Sequence, residues 1–98
     1  MAVIEIIDFS TAPTTTAESL HRALNTLDTE LAKLGGMLSR ELYRTAGTEN
    51  GWLLEYRWET LAGAQSSMGE VAETDAFTSL MALVEAPETM RLSYGIPA

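Results

Sequence analysis

The chain has no cysteine and a single histidine in 98 residues. Without cysteine there is no disulfide framework, no thiolate nucleophile and no thiolate metal site. One histidine rules out the clustered-imidazole sites that commonly hold zinc or iron. Basic residues are also scarce: six Lys and Arg against fourteen Asp and Glu, a formal charge of −8. That balance argues against nucleic acid, whose phosphates call for basic side chains, and against an anionic membrane surface. No apolar run approaches membrane length, and the opening MAVIEIIDF carries Glu5 and Asp8 with no early Lys or Arg, unlike a secretory signal. The expected compartment is therefore the cytoplasm. No glycine-rich dinucleotide signature occurs, and no cofactor is expected.

What remains is an ordinary globular composition, 46% hydrophobic and 20% charged. At this length residues 1–98 are expected to form one domain, burying about two thirds of the surface the unfolded chain exposes. The most organised stretch is GWLLEYRWETL, from Gly51 to Leu61. Trp52, Leu54, Tyr56 and Trp58 recur at every second residue, which predicts a strand with one strongly aromatic face. At Thr60 the period changes, and Leu61, Ala64, Gln65, Met68, Val71 and Ala72 fall on one helical stripe. A strand that ends in Trp58 and turns straight into a helix over that same face is suited to walling a small apolar cavity.

Ala2 to Phe9 reads as a central strand covered on both sides, with Val3, Glu5, Ile7 and Phe9 on one face and Ile4, Ile6 and Asp8 on the other. Ser10 to Thr16 is turn material, its threonines offering helix N-caps. Leu20, Leu24, Leu27, Leu31 and Leu34 then form a single seam on a first helix, ended by Gly35 and Gly36. A strand over Met37 to Arg44 follows, opposing Met37, Ser39, Glu41 and Tyr43 to Leu38, Arg40, Leu42 and Arg44. Asn50 and Gly51 mark the turn that pairs it with the aromatic strand. After a break at Glu73 to Asp75, a second apolar stripe of Phe77, Leu80, Met81 and Val84 runs to Pro87. Thr89 to Ile96 alternates again as the last strand.

The order β-α-β-β-α-β predicts an α+β fold of the ferredoxin-like, split βαβ kind: a four-stranded antiparallel sheet with its helices on one face. The other face is expected to carry Ile4, Ile6, Leu38, Leu42 and Leu53 mixed with Arg40, Glu55, Arg57 and Arg91. That mixture is too apolar for open solvent and too charged for a dry core, and it predicts a homodimer formed sheet to sheet. An RNA-binding use of this strand order is disfavoured, because the charge is wrong and the helices cover the aromatic face.

The passage LEYRWETLAGAQ, the broken helix ending TDAFTSLMALVE and the final RLSYGIP resemble the dimeric α+β barrel superfamily, and within it the antibiotic-biosynthesis-monooxygenase type of domain. The resemblance implies two sheets forming a barrel at a dimer interface, with a pocket in each subunit between sheet and helices. Some such relatives are cofactor-free oxygenases acting on polycyclic phenols, and others degrade haem. Trp58 matches the tryptophan that haem-degrading relatives place in the pocket, and Glu5 falls roughly where they carry asparagine. Their histidine on the second helix has no counterpart here, since Thr60 to Val84 contains none.

Two classes of function stay open. In the first, the chain is a cofactor-independent monooxygenase-like enzyme acting on a small aromatic or polyketide-like compound. Glu5, a carboxylate on an apolar strand face, is then the candidate base, or His21 at the border of the leucine seam. Trp58 and the tyrosines Tyr43, Tyr56 and Tyr94 position the ring, with Met68 and Phe77 completing the wall. In the second, a non-catalytic homodimer binds a small apolar ligand or serves as an accessory domain, with Trp58 and the tyrosines as packing residues, Glu5 in an ion pair and His21 at the surface. Arg57 and Arg91 fall on the outer face by parity, and Glu70, Glu73 and Asp75 are separated as on a solvated helix face.

Overall fold

The computed structural model describes residues 2 to 98. Strand β1 runs Val3–Thr11, helix α1 Ala17–Leu34, and strands β2 and β3 Met37–Arg44 and Gly51–Trp58. Helices α2 and α3 span Leu61–Val71 and Asp75–Met81, and strands β4 and β5 span Val84–Glu85 and Arg91–Gly95. The sheet is antiparallel throughout. β1 lies at its centre, bonded on one side to β3, which in turn pairs β2, and on the other to β5 and the short β4. This is the α+β, ferredoxin-like arrangement that the order of elements predicts, with one small strand more than expected.

The helix ends follow from capping chemistry. Thr16, Thr60 and Thr74 each accept a backbone N–H from three residues on, satisfying a donor that the first turn leaves free. Gly35 and Gly36 have φ of 80° and 88°, a region that other residues enter at a cost, and this lets α1 stop and the chain reverse into β2. Leu20, Leu24, Leu27 and Leu31 are buried as one seam, whereas Leu34 lies at the exposed end of the helix. On the sheet Val3, Glu5, Ile7, Phe9 and Thr11 of β1 meet Trp52, Leu54, Tyr56 and Trp58 of β3 under the helices.

Several boundaries depart from the sequence reading. β1 continues through Ser10 and Thr11, where a turn was expected, because those residues pair Glu85 and Val84. Val84 therefore belongs to β4 and not to the end of α3. β1 is also covered on one side only: Ile4 and Ile6 are half-buried and Asp8 is exposed. The largest departure is in β2, where a bulge between Met37 and Ser39 shifts the register by one residue. Such a shift carries every later side chain to the other face. Arg40, Leu42 and Arg44 consequently stand opposite Tyr56, Leu54 and Trp52 beneath the helices, while Ser39, Glu41 and Tyr43 stand opposite Arg57, Glu55 and Leu53 on the outer face. The outer placement of Arg40 and Leu42 is thus corrected, and so is the inner placement of Tyr43. Among the described residues no helix is long and apolar enough to cross a membrane.

Candidate functional site

A cavity of about 240 Å³ lies between the sheet and the helices. β1 supplies Glu5, Ile7 and Phe9 to its wall, and β3 supplies Leu54 and Tyr56. The roof is Leu27 of α1, Met68 of α2 and Phe77, Leu80 and Met81 of α3; Val84, Met90, Arg91, Leu92 and Tyr94 complete the rim. Tertiary packing explains where the space comes from. α3 has only seven residues and packs mainly against α1, so it bridges over the sheet without settling on it. Flexible side chains, Met68, Met81 and Met90 among them, border the gap.

Glu5 sits at the polar point of this wall. Its side chain is 0% exposed, an unusual position for a carboxylate. The Trp58 indole N–H donates to Glu5 Oε1 at 3.1 Å, and Oε2 has no hydrogen-bond partner. Cross-strand pairing places Tyr56 on one side of Glu5 and Tyr94 on the other, all on the same face. Burial raises the Glu5 carboxyl above its ordinary 4.5; the indole bond and the nearby Tyr94 hydroxyl pull it part of the way back. The Tyr94 phenol is itself pushed up to about 12, first by burial and then by the Glu5 charge, so it remains an O–H donor.

Tyr56 is differently committed. Its ring borders the cavity, but its hydroxyl donates to Asp28 Oδ1 of α1 at 2.9 Å. Burial, and then the Asp28 charge, raise its pKa well above the ordinary tyrosine value. Asp28 Oδ2 accepts from Arg40 Nε at 2.9 Å, and Arg40 donates its remaining arms to Asn25 Oδ1 at 2.7 Å and His21 Nδ1 at 3.0 Å. Because a guanidinium only donates, His21 Nδ1 is the acceptor in this contact.

The structure therefore brings Glu5, Tyr56, Met68, Phe77 and Tyr94 to one cavity. Trp58 stands behind it: the indole faces the helices as expected but is fully buried, donating to Glu5 and lying beside the Tyr56 ring with centroids 5.9 Å apart. His21 does not reach the cavity; it meets Arg40 between α1 and β2, which corrects the expectation of a base at the pocket mouth. Tyr43 is 50% exposed on the opposite face of the sheet and takes no part either. Sequence reasoning missed Asp28 and Arg40 as the pair that fixes Tyr56. Their spacing gives no signal, since one lies on a helix and the other is turned inward only by the bulge. Leu80 and Met90 were also unassigned to the wall, although Leu80 belongs to the apolar stripe of α3.

No family model matches the sequence, and no curated protein matches it either. Solved structures do. SnoaB, a cofactor-independent oxygenase from Streptomyces nogalater, superposes with a TM-score of 0.74 at 15% identity, over 99% of this chain and 93% of that one. A Nitrosomonas europaea protein assigned provisionally to the antibiotic biosynthesis monooxygenases gives 0.67 at 14%, over 97% and 89%. Rv0793 from Mycobacterium tuberculosis gives 0.63 at 19%, over 100% and 96%. The chain shares the fold of these proteins along its whole length, which is the resemblance read from its sequence.

Proposed function

We propose that the chain is a cofactor-independent, monooxygenase-like enzyme that takes a small hydroxyaromatic or polyketide-like compound into this cavity, with Glu5 as its base. One observation carries the reading: a buried carboxylate whose second oxygen is unpartnered stands in the wall of an otherwise mostly apolar cavity. Stability alone does not favour that arrangement, and groups of this kind concentrate at functional sites. The likeness in fold to SnoaB supports the direction of the chemistry.

The geometry supports a role for each residue. Trp58 holds Oε1 and fixes the plane of the carboxylate, leaving Oε2 to take a proton from the ligand. The rings of Tyr56 and Phe77 and the methionines surround the aromatic body. A dry cavity of about 150 Å³ accepts benzene, so the volume here suits one or two fused rings. Since Glu5 is screened from solvent, the ligand reaches it as the flexible side chains in front give way. Once deprotonated, the electron-rich compound reduces dioxygen itself: a ring CH₂ and O₂ become C=O and H₂O through a hydroperoxide.

The test is oxygen uptake with one- and two-ring hydroxyaromatics. Turnover is expected with at least one of them, and Glu5→Gln is expected to lose about 10²- to 10⁴-fold in rate, the usual contribution of a positioned base. A Glu5→Gln protein that turns over the same compound at the wild-type rate refutes the assignment. The second reading, a non-catalytic binder of small apolar ligands, is favoured by the complete screening of Glu5, and saturable binding without oxygen uptake supports it.

The homodimer also belongs to this reading. The outer sheet face presents Ile4, Ile6 and Leu53 half-buried and Tyr43 exposed, interleaved with Glu41, Glu55, Arg57 and Arg91. Gly95 contributes flatness there, because a Cβ at that position would lie 2.9 Å from Ile4 Cγ1. Two such faces bury the aliphatic residues and set the basic side chains against the acidic ones across the seam. Equilibrium sedimentation is expected to give twice the 10.7 kDa of the chain, and a Leu53→Glu variant is expected to be monomeric. A monomeric wild-type protein at micromolar concentration refutes it.

A further inference from the structure

Glu5 is not the only group on the wall suited to moving protons, and its neighbour suggests an activity that needs no oxygen. Four polar residues border the cavity: Glu5, Tyr56, Arg91 and Tyr94. Tyr56 spends its O–H on Asp28. Arg91 is opposite Asp8 in the register, so its side chain belongs to the outer face. The Trp58 N–H is used by Oε1. The groups that face a ligand are the Oε2 acceptor of Glu5 and the hydroxyl of Tyr94, which lie close enough for that hydroxyl to act on the carboxylate and which a ligand would engage by coming between them. They are directly opposed on neighbouring strands, one fully buried and the other half-exposed toward the rim. Such Cβ atoms are about 5 Å apart, so the two functional groups can engage atoms two bonds apart on one small molecule.

From this pairing we infer that the cavity enolises small neutral bicyclic ketones, Glu5 taking a proton from the carbon next to the carbonyl and Tyr94 donating a hydrogen bond to the carbonyl oxygen. The inference rests on Glu5 being a base in a ligand cavity, as proposed above, and adds Tyr94 as a second catalytic residue, a substrate class and a reaction independent of O₂. The electrons balance within the ligand. The C–H bond breaks and its proton goes to Oε2; its electron pair forms the C=C bond, and the carbonyl π pair moves onto oxygen, where the Tyr94 O–H meets the growing charge. Return of a proton to carbon restores the ketone, and nothing is oxidised. With a phenol raised to about 12, Tyr94 stays protonated through this cycle and acts as the donor. The Glu5 carboxylate repels carboxylic acids, which favours uncharged ligands beside it.

The experiment uses 2-tetralone in oxygen-free deuterated buffer, with proton NMR following loss of the signal next to the carbonyl. The Trp58 indole N–H resonance reports occupancy beside Glu5, and the Trp52 indole, bonded to Thr11 Oγ1 at 2.9 Å, serves as the internal control. The full chain is expected to exchange deuterium into the ketone faster than buffer, Glu5→Gln to fall to the buffer rate, and Tyr94→Phe to lose about 10²-fold in kcat with KM little changed. Exchange at the buffer rate while the Trp58 resonance shows the ketone bound overturns the inference. A Tyr94→Phe protein as fast as the wild type overturns the pairing, and failure of the ketone to bind overturns the substrate class. Exchange without oxygen uptake on hydroxyaromatics upholds this inference and refutes the oxygenase reading. Oxygen uptake without exchange does the reverse.

Discussion

Glu5→Gln is expected to make the protein more stable at neutral pH in the same variant that removes its base. In the folded chain the carboxylate exchanges water for an apolar wall and recovers only the Trp58 bond at Oε1 and the proximity of Tyr94. Glutamine keeps the shape and offers its carbonyl oxygen to the indole, without a charge to desolvate. The folded carboxyl titrates above its unfolded value of 4.5, so between the two values the native state binds more protons than the unfolded one. Stability is therefore favoured below the unfolded value and is lost as the pH rises through the folded one. The variant has no such loss. Its advantage should be small in acid, grow through that window and level off above it. A plateau of about 1 kcal/mol is typical where a functional group is removed from a strained site, and about 4–8 °C in Tm follows for a chain of this size. Any base-dependent rate should rise with pH on the same displaced limb. A wild-type protein more stable than the variant at neutral pH would make Glu5 a structural residue.

The same residue shows what the sequence discloses and what it hides. That Glu5 faces the leucine seam follows from its alternation with Val3 and Ile7, since period two assigns faces without reference to the rest of the chain. That Trp58 is its partner does not follow, because the two lie 53 positions apart and meet only through the β1–β3 register. α1 was legible at both ends because Thr16 and the Gly35–Gly36 pair carry specific backbone chemistry. β2 was legible as a strand but not in its facing. One unpaired residue after Met37 reverses the parity that MLSRELYR displays, and no residue type in that run announces a bulge. This single irregularity removed Tyr43 from the site and turned Arg40 inward onto Asp28. His21 failed for a related reason: helical spacing gave its angle from the seam correctly, but its fate was set by a guanidinium expected on the far side of the sheet.

Arg40→Met is expected to have the largest effect on stability, a loss of about 3 to 5 kcal/mol in urea unfolding. The Arg40 side chain is 9% exposed and that of Asp28 20%, so their ion pair is largely removed from water. Removing the guanidinium strands Asp28 with only the Tyr56 hydroxyl and leaves Asn25 Oδ1 and His21 Nδ1 without their donor. A surface pair lost in the same way costs under about 1 kcal/mol, so the size of the effect separates the two cases. Asp28→Asn in the Arg40→Met background removes the stranded charge and should recover a substantial part of the loss, a coupling that a double-mutant cycle reads directly. The cluster also bears on the cavity. It ties the Tyr56 hydroxyl to α1 and so helps to fix the ring in the wall beside Glu5. In the double variant that hydroxyl is held less firmly and becomes a third polar group available to a ligand. A loss of under about 1 kcal/mol for Arg40→Met would show that α1 is kept on the sheet by the leucine seam alone.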